Sequence, residues 1–171
     1  MSLTFAILTV SDRSSAGTRE DLSGPVLGDA VERAGWVVST TAIIPDEIQQ
    51  ISDQLITWAD SDEIQIILTT GGTGFAPRDV TPEATEAVLD RQTPGLAEAM
   101  RAGSLKITPH GMLSRAVSGI RKNTLIINLP GSPKGALENF RIVAPVLPHA
   151  VQLLENDNRA EAGHRPKTQL I

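Results

Sequence analysis

Three β-favouring runs, Leu3 to Val10, Trp36 to Ile44 and Ile64 to Thr70, are separated by two stretches whose apolar residues recur at helical spacing. The first such stretch carries Leu22, Val26, Leu27, Ala30, Val31 and Ala34, with Pro25 suited to a first helical turn and Gly35 to a C-terminal cap. The second carries Ile48, Ile51, Leu55 and Trp58 behind Pro45-Asp46. Strands alternating with helices this long can be joined only by crossovers. Those are right-handed, so the sheet is expected to be largely parallel and flanked by helices on both faces. Ligands of such sheets lie beyond the C-terminal ends of the strands, which makes the loops after Val10, Ile44 and Thr70 the places to look for chemistry.

The rest of the chain modifies this plan. Thr81-Pro82 and Thr93-Pro94 predict two short helices, Thr capping the first turn and Pro entering it. Ala116 to Ile120 can pair with Thr124 to Leu129 through Arg121-Lys122-Asn123, which adds one antiparallel hairpin and makes the sheet mixed. Leu137, Phe140, Ala144, Leu147, Val151 and Leu154 mark a last helical region that Pro145 and Pro148 should kink or split. The expected architecture is a three-layer α/β/α domain over residues 1–155, with residues 156–171 a polar C-terminal tail that lacks apolar periodicity.

Composition removes several kinds of function. The chain has no Cys, so thiolate metal sites and cysteine nucleophiles are excluded. Its net charge is −5, which argues against a broad grip on nucleic acid and requires any anionic ligand to find a local cationic or N–H-rich site. Nothing resembles a signal peptide or a membrane span, so a cytoplasmic protein is expected. The histidines at 110, 149 and 164 have no metal-ligand spacing.

Four loops carry candidate chemistry. Thr69-Thr70-Gly71-Gly72-Thr73-Gly74 follows a strand directly, and three glycines in four positions let successive backbone N–H groups ring an oxyanion. A tight strand-to-helix turn explains the same residues without a ligand. In Arg78-Asp79-Val80-Thr81-Pro82-Glu83, Asp79 is suited to Mg²⁺ and Arg78 to phosphate, although an Asp ahead of a helix is equally an N-cap. Asp46 in Pro45-Asp46-Glu47 reads first as an N-cap for the helix that follows. Leu129-Pro130-Gly131-Ser132-Pro133-Lys134-Gly135 joins a capping Ser, a first-turn Pro and a Lys, and so suits a second anion site. Ser11-Asp12-Arg13 and Ser114-Arg115 complete the polar loops.

Taken together and in this order, Ser11-Asp12-Arg13, Ile44-Pro45-Asp46-Glu47, Thr69 to Gly74, Arg78 to Ala84, Leu113-Ser114-Arg115 and Leu129 to Lys134 strongly resemble the MogA/MoaB family of molybdenum cofactor biosynthesis. The resemblance runs from Leu3 to about Leu154 and implies a molybdopterin-binding-like fold, a homotrimer and molybdopterin adenylyltransferase activity. In that activity, molybdopterin and ATP react with Mg²⁺ present to give adenylyl-molybdopterin and pyrophosphate. The resemblance places metal and catalysis on Asp46 and Asp79, against the capping reading of Asp46. It assigns Thr70, Gly71, Gly72, Thr73, Gly74 and Arg78 to nucleotide phosphate. Ser11, Asp12, Arg13, Ser114, Arg115, Gly131, Ser132 and Lys134 fall to the substrate side, and a molybdenum-insertion enzyme becomes a candidate partner. The alternatives are a non-catalytic molybdopterin-binding scaffold of the MoaB type and a nucleotide pyrophosphatase of the competence-damage type.

Overall fold

The computed structural model describes residues 2–155, and the polar segment 156–171 lies outside the described residues. In chain order the elements are β1 Thr4–Val10, α1 Asp12–Ser15, α2 Ser23–Arg33, β2 Val37–Ile44, α3 Ile48–Ala59, β3 Ile66–Thr70, α4 Thr81–Glu86, β4 Arg91–Gln92 and α5 Pro94–Leu105. A 3₁₀ turn at Pro109–Leu113, β5 Ser118–Arg121, β6 Thr124–Leu129, α6 Pro133–Val143 and α7 Leu147–Leu154 complete the domain.

The sheet order is β2-β1-β3-β6-β5-β4, parallel through β2, β1, β3 and β6 and antiparallel at β5 and β4. This is the expected mixed sheet. The three central strands β1, β3 and β6 are buried almost throughout because helices cover both faces, whereas edge strand β2 alternates between exposed and half-buried residues. On one face α2, α5, α6 and α7 enclose a core that includes Phe5, Leu27, Leu68, Ile127 and Phe140. On the other, α3 and α4 close over Leu8, Ile51, Leu55, Ile67 and Ile126. The core is aliphatic apart from Trp58, packed on the α3 side, and one aromatic group on the other face, in which Phe5 stacks on Trp36 at 5.3 Å and Phe140 meets both edge-on.

The sequence reading of the helix ends needs correcting in places. Neither Thr-Pro pair caps through its threonine. The Thr81 hydroxyl donates to the Gly71 carbonyl at 2.9 Å, and Thr93 Oγ1 donates to Ser118 Oγ at 3.1 Å. The helix from Pro94 is also a full 12 residues rather than short. Pro145 and Pro148 do split the last helical region, with a 3₁₀ turn at Ala144–Val146 between α6 and α7.

One buried polar network ties the sheet to α4 just below the strand ends. Asn128 Nδ2 donates to Thr69 Oγ1 and Thr85 Oγ1, each at 2.9 Å, while its Oδ1 accepts the Val117 N–H at 3.3 Å. Every polar atom of this fully buried side chain is satisfied. Asn128→Ala strands three partners and should cost about 2 kcal/mol. A chain of this size should then melt lower by roughly 4–8 °C, measurable by scanning calorimetry.

Candidate active site

The C-terminal ends of β1, β2, β3 and β6 lie side by side because these strands are parallel neighbours, so their loops meet at one edge of the sheet. A polar cavity of about 500 Å³ opens there, lined among others by Ser11, Asp12, Asp46, Gly71, Asp79 and Ser132. A second cavity of about 440 Å³ lies beyond, reached by Thr73, Ser114, His110 and Asn139. Gly72, Asp79, Gly131 and Ser132 form a wall common to both.

The glycine loop is built by backbone geometry that other residues rarely adopt. Gly71 and Gly72 have φ of 102° and 63°. A Cβ on Gly71 would strike the Val10 carbonyl, and one on Gly72 would strike Thr81 Oγ1 and lie 2.9 Å from Asp46 Oδ1. The loop is tied to the end of β6: the Gly71 N–H donates to the Leu129 carbonyl at 3.3 Å, and Thr70 Oγ1 donates to the Pro130 carbonyl at 2.7 Å. Glycines are therefore required here by the close approach of β1, the Asp46 loop and α4 to the turn.

Asp46 does not cap the helix that follows it. Glu47 occupies that position without a side-chain bond, and Asp46 is locked instead to the β1 loop. The Asp12 N–H donates to Asp46 Oδ2 at 2.8 Å and the Asp46 N–H donates back to Asp12 Oδ1 at 3.0 Å. Arg78 grips the other side of this pair, donating Nε and Nη2 to Asp12 at 3.0 and 2.9 Å and Nη2 to Glu47 at 2.8 Å. The guanidinium holds the Asp12 carboxyl below its ordinary range. Asp46 is pushed upward by desolvation, the largest influence, and by the like charges of Asp12 and Asp79.

Asp79 is not a helix cap either. Its Oδ2 accepts the Ala76 N–H at 2.8 Å, which closes the small turn Ala76–Asp79 and presents the residue to the wall between the cavities. Behind that turn, Arg115 donates Nε to the Gly74 carbonyl at 2.7 Å, Nη2 to the Asp79 carbonyl and Nη1 to Glu83.

The remaining expected site residues divide by position. Ser11 accepts the Ser14 N–H through its side chain and opens the short α1, with Arg13 exposed at the rim of the first cavity. Ser132 caps α6 by accepting the Gly135 N–H at 3.1 Å. Lys134 is exposed, lines neither cavity and pairs loosely with Glu138 at 3.8 Å. Arg78 and Arg115 also lie outside both linings.

Sequence reasoning overlooked Asp21. Its carboxylate accepts the Thr9 hydroxyl at 2.7 Å and the Ser23 and Gly24 N–H groups at 3.0 and 3.1 Å, fixing the start of α2 at the cavity edge. The run Asp21-Leu22-Ser23-Gly24 was the available signal, an Asp placed to cap a helix. The acidic partners of the two arginines, Glu47 and Glu83, were likewise unmarked as such.

Among the described residues no group of three or more His, Cys, Asp or Glu side chains could hold a metal. Two carboxylates are nevertheless the usual protein share of a Mg²⁺ site whose other ligands are water and substrate phosphate. Asp46 and Asp79 face one cavity close enough to raise the pKa of Asp46. A cation between them would offset both desolvation and like charge, so the donor set fits Mg²⁺ shared with a phosphate ligand.

A family model described as a probable molybdopterin binding domain matches residues 6–149. The chain belongs to this family. Over 91% of its length it is 45% identical to the molybdenum cofactor synthesis protein cinnamon of Drosophila melanogaster, but it spans only 26% of that protein. It is 42% identical to a molybdopterin adenylyltransferase of Helicobacter pylori, covering 88% of this chain and 86% of that one. The solved structure of the molybdopterin biosynthesis enzyme MoaB from Thermus thermophilus superposes with a TM-score of 0.85 at 48% identity, covering 91% and 98% of the two chains. The MogA/MoaB resemblance and the α/β fold expected from sequence are both borne out by these relatives.

Proposed function

We propose that this member of the molybdopterin-binding family is a molybdopterin adenylyltransferase. The observation that carries the reading is the meeting of Asp46, Asp79 and the Gly71-Gly72 turn at one cavity that shares a wall with a second. Two adjoining cavities suit two phosphate-bearing substrates, and the shared wall of Gly72, Asp79, Gly131 and Ser132 is where their phosphates would meet.

In the reaction a terminal phosphate oxygen of molybdopterin attacks the α-phosphorus of ATP. A new P–O bond forms, the bond to the bridging oxygen of the leaving group breaks, and pyrophosphate departs with the electron pair. Bound Mg²⁺ would supply positive charge against the negative charge that builds up in the transfer. Asp46 and Asp79 would hold it, each already fixed through its backbone segment. The N–H groups of Gly72, Thr73 and Gly74 offer donors to a phosphate oxygen, and the positive end of α6 at Ser132 adds to the attraction. Transfer of this kind needs alignment and charge neutralisation rather than a protein nucleophile, which suits a site without Cys or a poised His. On the same reading ATP is co-substrate, Ser11, Asp12, Arg13 and Ser114 border the substrates, and the protein works in the cytoplasm as a homotrimer. Its product would pass to a molybdenum-insertion enzyme. No helix among the described residues is long and apolar enough to cross a membrane.

Protein mixed with ATP, Mg²⁺ and molybdopterin should release pyrophosphate and yield a product heavier than molybdopterin by one adenylyl group in mass spectrometry. Molybdopterin binding with no measurable ATP affinity would refute catalysis and leave a scaffold of the MoaB type.

A further inference from the structure

We infer that Arg115 is a positioning residue that holds the Asp79 turn in register with the opposite carboxylate, and that it does not bind substrate. The inference rests on the adenylyltransferase reading in one respect, that Asp79 is a metal ligand. Every nitrogen of the guanidinium has a protein acceptor: Nε the Gly74 carbonyl at 2.7 Å, Nη2 the Asp79 carbonyl, and Nη1 the Glu83 carboxylate. The Arg115 N–H adds a fourth bond, to the Thr73 carbonyl at 2.9 Å. These acceptors lie at the two ends of the loop 74–79 and on the first turn of α4, so one side chain fixes both the exit from the glycine turn and the entry to the next helix.

Apart from the bonds of Arg78 to Asp12 and Glu47, the turn it holds has little else to define it. Phe75, Ala76, Pro77 and Arg78 are all exposed, and the internal bonds of the turn are those between Ala76 and Asp79. A planar guanidinium with donors in fixed directions is suited to tie three acceptors at once, whereas an ammonium group is not. Arg115 lines neither cavity, although its neighbour Ser114 lines the second. Two of the guanidinium's five N–H groups are not used in these bonds, but since it lines neither cavity, reaching a phosphate in either would draw it off the contacts that place Asp79. Glu83 completes the arrangement: its pairing with Arg115 keeps its carboxyl below the ordinary range, so it stays charged and anchors Nη1 to α4.

The test compares wild type with Arg115→Ala, Arg115→Lys and Glu83→Gln. Affinity for Mn²⁺ is read by electron paramagnetic resonance in the presence of a non-hydrolysable ATP analogue, with kcat and the KM for molybdopterin measured alongside. Arg115→Ala should weaken Mn²⁺ binding and lower kcat by about 10–100-fold, the usual penalty for losing a group that orients a metal ligand. The KM for molybdopterin should stay within about twofold. Arg115→Lys should rescue only a minor part, because it keeps the charge and loses the fork. Glu83→Gln, which leaves the arginine in place, should show the same pattern several-fold more weakly and serves if Arg115→Ala does not fold. A molybdopterin KM raised tenfold or more with unchanged Mn²⁺ affinity would make Arg115 a substrate ligand and overturn the inference. Wild type that fails to bind Mn²⁺ with the analogue overturns the metal reading itself, whereas wild-type binding that persists in Arg115→Ala overturns the positioning role alone.

Discussion

Asp46→Asn should lose adenylyl transfer by about 10²–10³-fold while melting at a higher temperature than wild type in the absence of metal and nucleotide. The amide preserves shape and can still accept the Asp12 N–H through its oxygen, so the substitution removes charge rather than structure. That charge is unfavourable in the empty site, where desolvation and the carboxylates of Asp12 and Asp79 raise the pKa of Asp46. A carboxyl whose folded pKa lies above its unfolded value binds protons more readily in the native state. Its ionisation costs stability in full above the folded pKa, and the cost vanishes below the unfolded one. The melting difference in favour of Asp46→Asn should be complete at neutral pH and close as pH falls through the ordinary carboxylate range. Calorimetry in chelator at several pH values, with pyrophosphate release at neutral pH, checks both halves. A variant that is less stable than wild type in chelator would contradict the assignment of Asp46 as a residue held charged for a ligand.

Gly71→Ala is the counterpart with the largest expected loss of stability. At φ of 102° an alanine is strained, and its Cβ would be driven into the Val10 carbonyl, a backbone atom at the end of a central strand that cannot swing aside. Backbone strain of this kind costs about 1–3 kcal/mol. Displacing the ends of β1 and β3 adds to it, for a total of at least about 3 kcal/mol and a fall in melting temperature of roughly 10 °C. The same movement would spoil the first cavity, since Gly71 N–H is tied to Leu129 and the Gly71 carbonyl to Thr81. Thermal melting and ATP-analogue binding by calorimetry should fail together. A Gly71→Ala protein with wild-type stability and affinity would mean that the turn is free to reshape.

Much of this was readable from residue order, and the failures have physical causes. The alternation of apolar runs with helical spacing was enough for the three-layer fold, because fully buried parallel strands and amphipathic helices have different periods. The antiparallel β5–β6 pair was legible from its turn, where Lys122 has φ of 50° and Asn123 follows. The two-residue β4 was not, being too short to carry a period. At the site, local rules misled wherever a side chain served a distant partner. Asp46, Thr81 and Thr93 all stand where helix caps belong, yet each bonds across the fold, to segments 34, 10 and 25 residues away. Arg78 looks from sequence like a cation for phosphate and the family resemblance sets Arg115 on the substrate side, and only their spatial neighbours Asp12, Glu47 and Glu83 reveal that they are already engaged. It took the ordered set of motifs, rather than any single loop, to set Asp46 beside Asp79 before the fold was known.

The central claim is that Asp46 and Asp79 together take a divalent cation with the phosphates of ATP at the Gly71 turn. Its most direct test is a crystal grown with a non-hydrolysable ATP analogue and Mn²⁺, examined by anomalous diffraction. The expected result is one strong peak bonded to both carboxylates and to analogue phosphate oxygens, with phosphate against the N–H groups of Gly72 to Gly74. An analogue bound in this cavity with its metal touching neither aspartate, or bound elsewhere on the protein, would contradict the account.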